Sequence, residues 1–217
     1  MRLRRRRQPA AGADADGPAE RSFRATYVLS DFLSEMRGRA APVVIDLGPA
    51  IGTNVSFLGE EVACKLFIED LLASGPGRSS GSANGDAGSN AWVPRLPHPD
   101  ESVDGVLCWD VLDYLPRPAQ NALAGQLVRI LRPGGVLMIC HRLEFEMHLE
   151  RIVHEIVGRD RLRLQRGGDA SAPLERPLKL RELQLMFGGL TALKTVLLKS
   201  RVREVLFRKA GPPAVSV

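Results

Sequence analysis

The stretch Val43–Leu58 constrains the fold of this chain more than any other. It begins with the apolar run Val43–Ile45, reaches Asp46, passes through a turn that contains Gly48 and Gly52, and continues into a helix-like segment. An apolar run, a glycine turn and a helix start are typical of a buried parallel strand that leads into a helix. The first N–H groups of that helix face the turn, where open α/β sheets receive nucleotide-like ligands. We therefore expect an α/β fold with a mostly parallel sheet.

Composition and charge narrow the class of protein. The chain has 217 residues, of which 44% are apolar, enough for one domain with a packed core. Its formal net charge is +5, and the five arginines of Met1–Arg7 account for all of it. The remainder is close to neutral, so we do not expect a nucleic-acid-binding face. The three cysteines lie in or beside apolar runs and are interpreted as buried, reduced side chains.

One domain, residues 21–210, is expected between two tails. Residues 1–20 are rich in Arg, Ala and Asp and lack hydrophobic periodicity, which is typical of a disordered basic tail. Residues 74–90 are rich in Gly and Ser and predict a flexible loop, and residues 211–217 predict a frayed tail. No apolar run is long enough to cross a membrane, and no apolar segment follows the N-terminal arginines as in a secretory signal. We therefore expect a cytoplasmic protein.

Helices and strands alternate along the domain. The predicted helices, taken from helical spacing of apolar residues, are Ser22–Arg37, a short one at Asn54–Leu58 that Gly59 interrupts, Pro118–Leu131, Leu149–Val157 and Lys179–Phe187. The predicted strands are Val43–Asp46, Cys64–Ile68, Trp92–Val93, Asp104–Trp109, Val136–Cys140, and the terminal antiparallel pair Leu193–Leu198 and Arg203–Phe207. This order predicts a doubly wound, mostly parallel, seven-stranded sheet with helices on both faces and a terminal antiparallel strand.

The glycine spacing excludes two common nucleotide sites. Three residues separate Gly48 from Gly52, whereas a dinucleotide fingerprint needs G-x-G-x-x-G. A P-loop needs Gly-Lys-Ser/Thr at the start of the helix, and that sequence does not follow the turn.

Four blocks, in order, resemble those of class I S-adenosylmethionine-dependent methyltransferases, a Rossmann-like family. They are the turn Asp46–Gly52, Glu69 at the end of the second strand, His98–Leu112 around the fourth strand, and Leu131–Leu137 with its Arg-Pro-Gly-Gly turn. The closing segment Arg203–Lys209 is also similar to the last antiparallel strand of the family. The likeness extends over about residues 41–209, and it implies the family's fold and S-adenosylmethionine as the cofactor.

The resemblance also implies roles for individual residues. Asp46 would fix the turn and reach the methionine end of the cofactor, and Gly48 and Gly52 would let the main chain approach the ligand without a Cβ clash. Glu69 would accept hydrogen bonds from both ribose hydroxyl groups, and Asp110 would border the binding mouth. A glycine turn without a ligand, a solvated acid at Glu69 and a surface position for Asp113–Tyr114 remain the alternatives.

Two positions depart from the family pattern. Ala50 replaces the middle glycine of the turn, and its methyl group is expected to crowd the cofactor or shift it outward. The carboxylate that the family often holds before Leu96–Pro97, as a contact for adenine, is missing. Trp92 by stacking or Asn90 by hydrogen bonding is the candidate for that contact, and simple packing is the alternative for Trp92.

Histidines and one aspartate are the candidate catalytic residues. His141 follows the fifth strand on the ligand side of the sheet, and it and Asp110 are the candidates for proton transfer, with a structural histidine as the alternative. His148 and His154 each follow a glutamate by four residues, so each pair would share one face of the predicted helix. Solvated pairs explain that spacing as well as a metal does, and we expect no metal.

The sequence therefore predicts an S-adenosylmethionine-dependent methyltransferase that acts on a small-molecule acceptor. An Asn-Pro-Pro-Tyr block, which the family's amino-group methylases of nucleic acid often carry, is replaced after the fourth strand by Trp109–Leu112. The first alternative is a non-catalytic methyltransferase-fold binding or scaffold protein, which Ala50 and the missing adenine carboxylate motivate. The second is a nucleic-acid-directed protein that uses the arginine tail.

Overall fold

The computed structural model describes residues 22–73, 95–144, 151–167 and 176–211. Its elements, in chain order, are β1 (Ser22–Ala25), α1 (Leu29–Arg37), β2 (Val43–Asp46), α2 (Gly52–Val62), β3 (Lys65–Ile68), β4 (Val103–Trp109), a 3₁₀ helix (Val111–Tyr114), α3 (Arg117–Ile130), β5 (Leu131–Arg142), β6 (Ile152–Gly158), β7 (Arg161–Arg166), α4 (Leu180–Met186), β8 (Leu190–Leu197) and β9 (Val202–Lys209).

The main sheet has six strands in the order β3-β2-β4-β5-β9-β8. Strands β3, β2, β4 and β5 are parallel, β9 is antiparallel to β5, and β8 is antiparallel to β9. The expected α/β sheet, mostly parallel and closed by an antiparallel pair, is confirmed. The described part of the sheet has six strands rather than the seven expected, and the predicted strand Trp92–Val93 lies outside the described residues.

Helices cover both faces of this sheet, as a doubly wound fold requires. On one face, α1 lies directly on β4, because a Cβ at Gly105 would come within 2.8 Å of the Phe32 ring. On the other face, α3 buries one stripe of its surface, and α4 leads into Phe187, whose ring lies 5.5 Å from that of Phe207. Every residue of β4 is buried, so the central strand supplies both cores.

A second sheet, with the strand order β1-β7-β6, lies beside α2. The side chain of Asn54 joins the two: its amide donates to the carbonyl of His154 over 2.9 Å, and its carbonyl accepts the N–H of Ile156 over 2.7 Å. This sheet corrects two predicted helices. Ser22–Arg37 begins as strand β1 and becomes helical only at Leu29, and the helix predicted at Leu149–Val157 is strand β6 in its described part.

The reason for the second error is that the apolar residues of β6 fit two periods. Ile152, Val153, Ile156 and Val157 satisfy helical spacing, but all four are β-branched and favour an extended chain. The segment forms a strand because it pairs with β7 through a tight turn at Arg159 and Asp160.

Helix α2 and strand β5 differ from the predictions in detail. Helix α2 continues through Gly59 to Val62 instead of stopping, and it ends at Ala63 in a left-handed conformation. Strand β5 begins at Leu131, and the Arg-Pro-Gly-Gly turn becomes a bulge within it, with Gly134 at φ +77°. Within the described ranges, no helix is both long and apolar enough to cross a membrane. The predicted tail 1–20 and loop 74–90 lie outside the described residues.

Candidate functional site

The carboxyl ends of the parallel strands place four charged side chains along one edge of the main sheet. Asp46 ends β2, Glu69 follows β3, Asp110 follows β4 and Arg142 ends β5. Ligands of open α/β folds bind at this edge, because the loops that leave the strands diverge there. Three of the predicted site residues, Asp46, Glu69 and Asp110, therefore come to the same edge.

The turn after β2 is held by the carboxylate of Asp46. Its Oδ1 accepts the N–H of Gly48 over 2.8 Å and the indole N–H of Trp109 over 2.7 Å. Burial raises the pKa of Asp46 to about 6, although both hydrogen bonds oppose that shift. A Cβ at Gly48 would lie 3.1 Å from Asp46 Oδ1 and from Trp109 Cδ1, so a larger residue here would require these side chains to shift by a few tenths of an ångström.

The other turn positions are less constrained by the protein. A Cβ at Gly52, the first residue of α2, would meet nothing within 4 Å among the described residues. Ala50 is exposed and does not line the cavity beside Gly48. Contacts of Gly52 and Ala50 with the cofactor therefore remain predictions.

Glu69 follows β3 at this edge, and its carboxylate already contacts His98. His98 Nε2 lies 3.0 Å from Glu69 Oε1, and the His98 ring packs edge-on against Phe67 with 4.9 Å between ring centroids. The Glu69 side chain keeps 26% of its surface exposed, so its carboxylate can still accept hydroxyl donors from a ligand.

Asp110 is the centre of a buried charged network. Its Oδ2 accepts from Arg142 Nη2 over 2.9 Å and from the Tyr114 hydroxyl over 3.0 Å, and its Oδ1 lies 3.6 Å from His154 Nδ1. Burial opposes ionisation of Asp110, but His154 and Arg142 outweigh it and hold the pKa of this carboxyl below its usual value.

Asp113, the neighbouring carboxyl, behaves in the opposite way. Its Oδ2 accepts the main-chain N–H of Arg142 over 2.8 Å. Burial, and next to it the charge of Asp110, raise the pKa of Asp113 well above its usual value. Asp113 and Tyr114 are buried, which makes their surface interpretation wrong.

His154 faces this network from β6. Its ring stacks on Trp109, with 5.1 Å between centroids and 7° between ring planes. Burial lowers its pKa to about 4, and Arg24 and Arg142 add to the shift while Asp110 opposes it, so the imidazole is neutral at pH 7. The sequence interpretation missed this position because it placed His154 on a helix, where the histidine would pair with Glu150 instead.

Two cavities meet at Asp110, Ile152 and His154. The Gly48 cavity has a volume of about 10 Å³ and is also lined by Gly48, Asn54, Leu72, Trp109 and Arg151. The Arg24 cavity has a volume of about 200 Å³ and is also lined by Arg24, Arg142, Leu164, Ser200 and Val202. Arg151, which precedes β6, lines the Gly48 cavity and pairs with Asp70 after β3.

Arg142 and Arg24 were missed for different reasons. Arg142 follows the predicted strand Val136–Cys140 by two residues, so its place at the ligand edge was open to prediction from chain order. Arg24 reaches the edge only because β1 pairs with β7, a long-range contact that the local pattern does not reveal.

The remaining predicted residues lie elsewhere. His141 is fully buried in β5, its Nε2 lies 3.3 Å from Arg203 Nη1, and it lines neither cavity. Burial lowers its pKa to about 4. Trp92, Asn90 and His148 lie outside the described residues. Within the ranges that the structure describes, no three His, Cys, Asp or Glu side chains are grouped as metal ligands.

Comparison with known proteins gives a consistent result. The family model for a methyltransferase domain matches residues 21–168. Uncharacterized methyltransferases of Mycobacterium marinum and Mycobacterium ulcerans are each 28% identical over 120 residues, which cover 52% of this chain and 45% of each relative. The chain thus spans about half the length of these relatives.

Among solved structures, an S-adenosylmethionine-dependent methyltransferase from Mesorhizobium loti aligns with a TM-score of 0.52 and 16% identity. The alignment covers 84% of this chain and 96% of that protein, and at this identity it is a likeness of fold.

Proposed function

The chain belongs to the methyltransferase domain family, and from that premise we propose that it transfers a methyl group from S-adenosylmethionine to a small-molecule acceptor. The observation that carries the proposal is the pair of adjoining cavities at the carboxyl edge of the sheet. One lies beside the glycine turn, the other is large enough for a small acceptor, and Asp110 and His154 stand between them.

The donor set beside the Gly48 cavity fits the cofactor chemically. We expect the Glu69 carboxylate, which does not line the cavity but follows the neighbouring strand β3 and stays 26% exposed, to accept the ribose hydroxyls. We expect the main chain at Gly48, which lines the cavity, to contact the ligand. Asp46 acts by holding that turn, because its Oδ1 already accepts two hydrogen bonds. The cavity volume of about 10 Å³ is at the lower limit for one water, so cofactor binding needs the cavity to widen, and we expect Arg151, which lines it, to move away from Asp70.

When bound, S-adenosylmethionine supplies a methyl group on a cationic sulfonium. The protein has to hold the acceptor atom in line with that methyl group and receive the proton that the acceptor loses. His154 is the candidate to receive it, because it lines both cavities and is unprotonated at pH 7, and its Nδ1 lies 3.6 Å from the Asp110 carboxylate. Its pKa of about 4 makes it a weak base, which favours an acceptor group that loses its proton readily. Arg142 fixes Asp110 in turn, over 2.9 Å.

The first test is cofactor binding, measured by titration calorimetry with S-adenosylhomocysteine. We expect binding to the wild type and about tenfold weaker binding to Glu69→Gln, since a charge-assisted hydrogen bond is lost. Glu101→Gln is the matched control, because Glu101 lies at the opposite end of β4 and pairs with Lys209. A folded wild-type protein that does not bind at millimolar ligand would overturn the proposal.

The second candidate function is that of a non-catalytic binding protein. The narrow Gly48 cavity and the pairing of Arg151 with Asp70 favour it, because both oppose entry of a nucleoside. The two functions differ in turnover. Methyl transfer from tritium-labelled cofactor to any member of a panel of small alcohols, phenols, amines and acids would reject the non-catalytic role. Binding of S-adenosylhomocysteine without any methyl transfer would support it.

A further inference from the structure

Arg24 is a buried cation with weak partners. It stands on β1, lines the Arg24 cavity, and exposes only 9% of its side chain. Its Nη2 donates to Cys140 Sγ over 3.6 Å, and sulfur is a weak acceptor. The same nitrogen lies 3.7 Å from Glu204 Oε1, which is too long for a hydrogen bond. Its buried Nε–H has no acceptor among the residues that the structure describes.

Glu204 cannot close on Arg24, because its other oxygen is held elsewhere. Oε2 accepts the main-chain N–H of Tyr27 over 2.8 Å and that of Val28 over 3.2 Å, which fixes the carboxylate at the start of α1. Oε1 lies buried without a hydrogen bond. A buried guanidinium with an Nε–H that lacks an acceptor and a weak sulfur acceptor at Nη2 is costly, and an oxygen-bearing ligand in the cavity would lower that cost.

The charges of the cavity wall define the ligand. Arg142 donates from its Nη2 to Asp110 over 2.9 Å and so neutralises that carboxylate, whereas the only carboxylate near Arg24 among the described residues, Glu204, lies 3.7 Å away. Arg24 is therefore the cavity cation whose charge lacks a hydrogen-bonded carboxylate. Asp110 shares the cavity and disfavours a doubly charged anion. The rest of the wall includes the apolar side chains of Ile152, Leu164 and Val202. A single negative charge on a small apolar body matches these features.

We propose that the Arg24 cavity binds a small carboxylic acid, whose carboxylate pairs with Arg24, and that this acid is the methyl acceptor. The acceptor role rests on the proposed function, whereas the binding of an acid does not. An arginine is suited to this task because its planar fork of N–H groups matches a carboxylate with two hydrogen bonds. The volume of about 200 Å³ is below the ~300 Å³ typical of larger ligand sites, so the acid is compact.

The position of Arg24 also indicates which atom of the acid is methylated. Arg24 lines only its own cavity, whereas Asp110 and His154 line both. The carboxylate therefore binds away from the cofactor side, and the reacting atom lies at the other end of the acid, beside His154. This orientation selects hydroxy acids, phenolic acids or amino acids with methylation at oxygen or nitrogen rather than at the carboxylate.

The experiment compares acids with their uncharged amides. The probes are 4-hydroxybenzoate with 4-hydroxybenzamide, glycolate with glycolamide, and N-acetylglycine with its amide, each titrated by calorimetry with and without saturating S-adenosylhomocysteine. We expect at least one acid to bind tenfold or more tightly than its amide. Arg24→Gln should remove that preference without weakening amide binding, and Arg24→Lys should keep part of it.

Arg161→Gln is the matched control, since Arg161 pairs with Ala25 across the same small sheet and lines neither cavity. Thermal melting establishes that each variant is folded. Equal binding of acid and amide in all three pairs, a preference that survives Arg24→Gln, or tighter binding of inorganic phosphate than of any acid would overturn the proposal. If the protein prefers acids but does not bind S-adenosylhomocysteine, the acid site stands and the proposed function is rejected. If it binds S-adenosylhomocysteine but shows no acid preference, the acid site is rejected and the proposed function stands.

Discussion

The two ends of β4 each carry a buried aspartate, and the two are used differently. At the amino end, Asp104 Oδ1 accepts from Arg39 over 3.0 Å, and Oδ2 accepts from Arg132 and from the N–H of Val43, both over 2.8 Å. At the carboxyl end, Asp110 lines both cavities and shares them with its partner His154.

The difference shows how partners, rather than residue type, decide the use of a buried carboxylate. Every contact of Asp104 ties one part of the chain to another: the loop after α1, the first residue of β2 and the bulge in β5. Among the side chains that contact Asp110, Arg142 and His154 themselves line a cavity. We therefore expect changes at the amino end to affect stability, and changes at the carboxyl end to affect binding or turnover.

The largest effect is expected from His154→Gln. Loss of a general base typically costs a factor of about 10² to 10⁴ in turnover, and glutamine keeps the polarity of the side chain but cannot take a proton. Affinity for S-adenosylhomocysteine should change little. The measurement is the rate of methyl transfer to an acceptor found in the panel, together with calorimetry on the same protein.

The pH profile separates this role from a structural one. Below its pKa of about 4, His154 is protonated and cannot act as a base, so the acid limb of the wild-type rate should lie near that pH instead of near 6.5. The charged groups that face His154 are Asp110, Arg142 and Arg24. An acid limb near pH 6.5, or a variant with unchanged turnover, would contradict the assignment.

The second prediction concerns the amino end. Asp104→Asn should lower the free energy of unfolding by about 2 to 3 kcal/mol, because two arginines lose their buried partner while remaining partly solvated. Chemical denaturation measures the loss, and calorimetry should show unchanged S-adenosylhomocysteine affinity.

Asp100→Asn is the control for that variant, since Asp100 pairs with Arg129 but exposes 74% of its side chain, and its change should stay within about 0.5 kcal/mol. If Asp104→Asn loses ligand affinity while its stability is unchanged, the conclusion that the amino end of β4 serves stability and the carboxyl end serves binding would be wrong.

The described strands of the main sheet, and some of the residues at its carboxyl edge, could be predicted from the sequence. Val43–Asp46 and Asp104–Trp109 are apolar runs long enough to be buried strands, and the residues after them fall at the carboxyl edge by topology alone. The roles of Arg24 and His154 were not predictable, because they depend on β1 and β6 pairing with β7. The β-branched residues of β6 satisfied two periods, and choosing the helical one moved His154 away from Asp110.

The smallest effect is expected at Asp46, a third buried carboxylate whose hydrogen-bond donors, Gly48 and Trp109, are uncharged. Its pKa is raised from 3.8 to about 6, so the folded state resists its ionisation, and the resulting loss of stability grows as pH rises from 3.8 to about 6. Asp46→Asn keeps an oxygen acceptor for both donors and removes the charge.

This variant should therefore be more stable than the wild type by about 1 to 2 kcal/mol at pH 7 to 8, less than the ~3 kcal/mol that a two-unit shift would correspond to. The gain should vanish below about pH 4, where Asp46 is protonated in both folded and unfolded chains. Denaturant melts of both proteins across this range measure it. If Asp46→Asn is destabilised at pH 7, an unseen favourable partner holds the charge, and the carboxyl end would then resemble the amino end in how it neutralises its carboxylates.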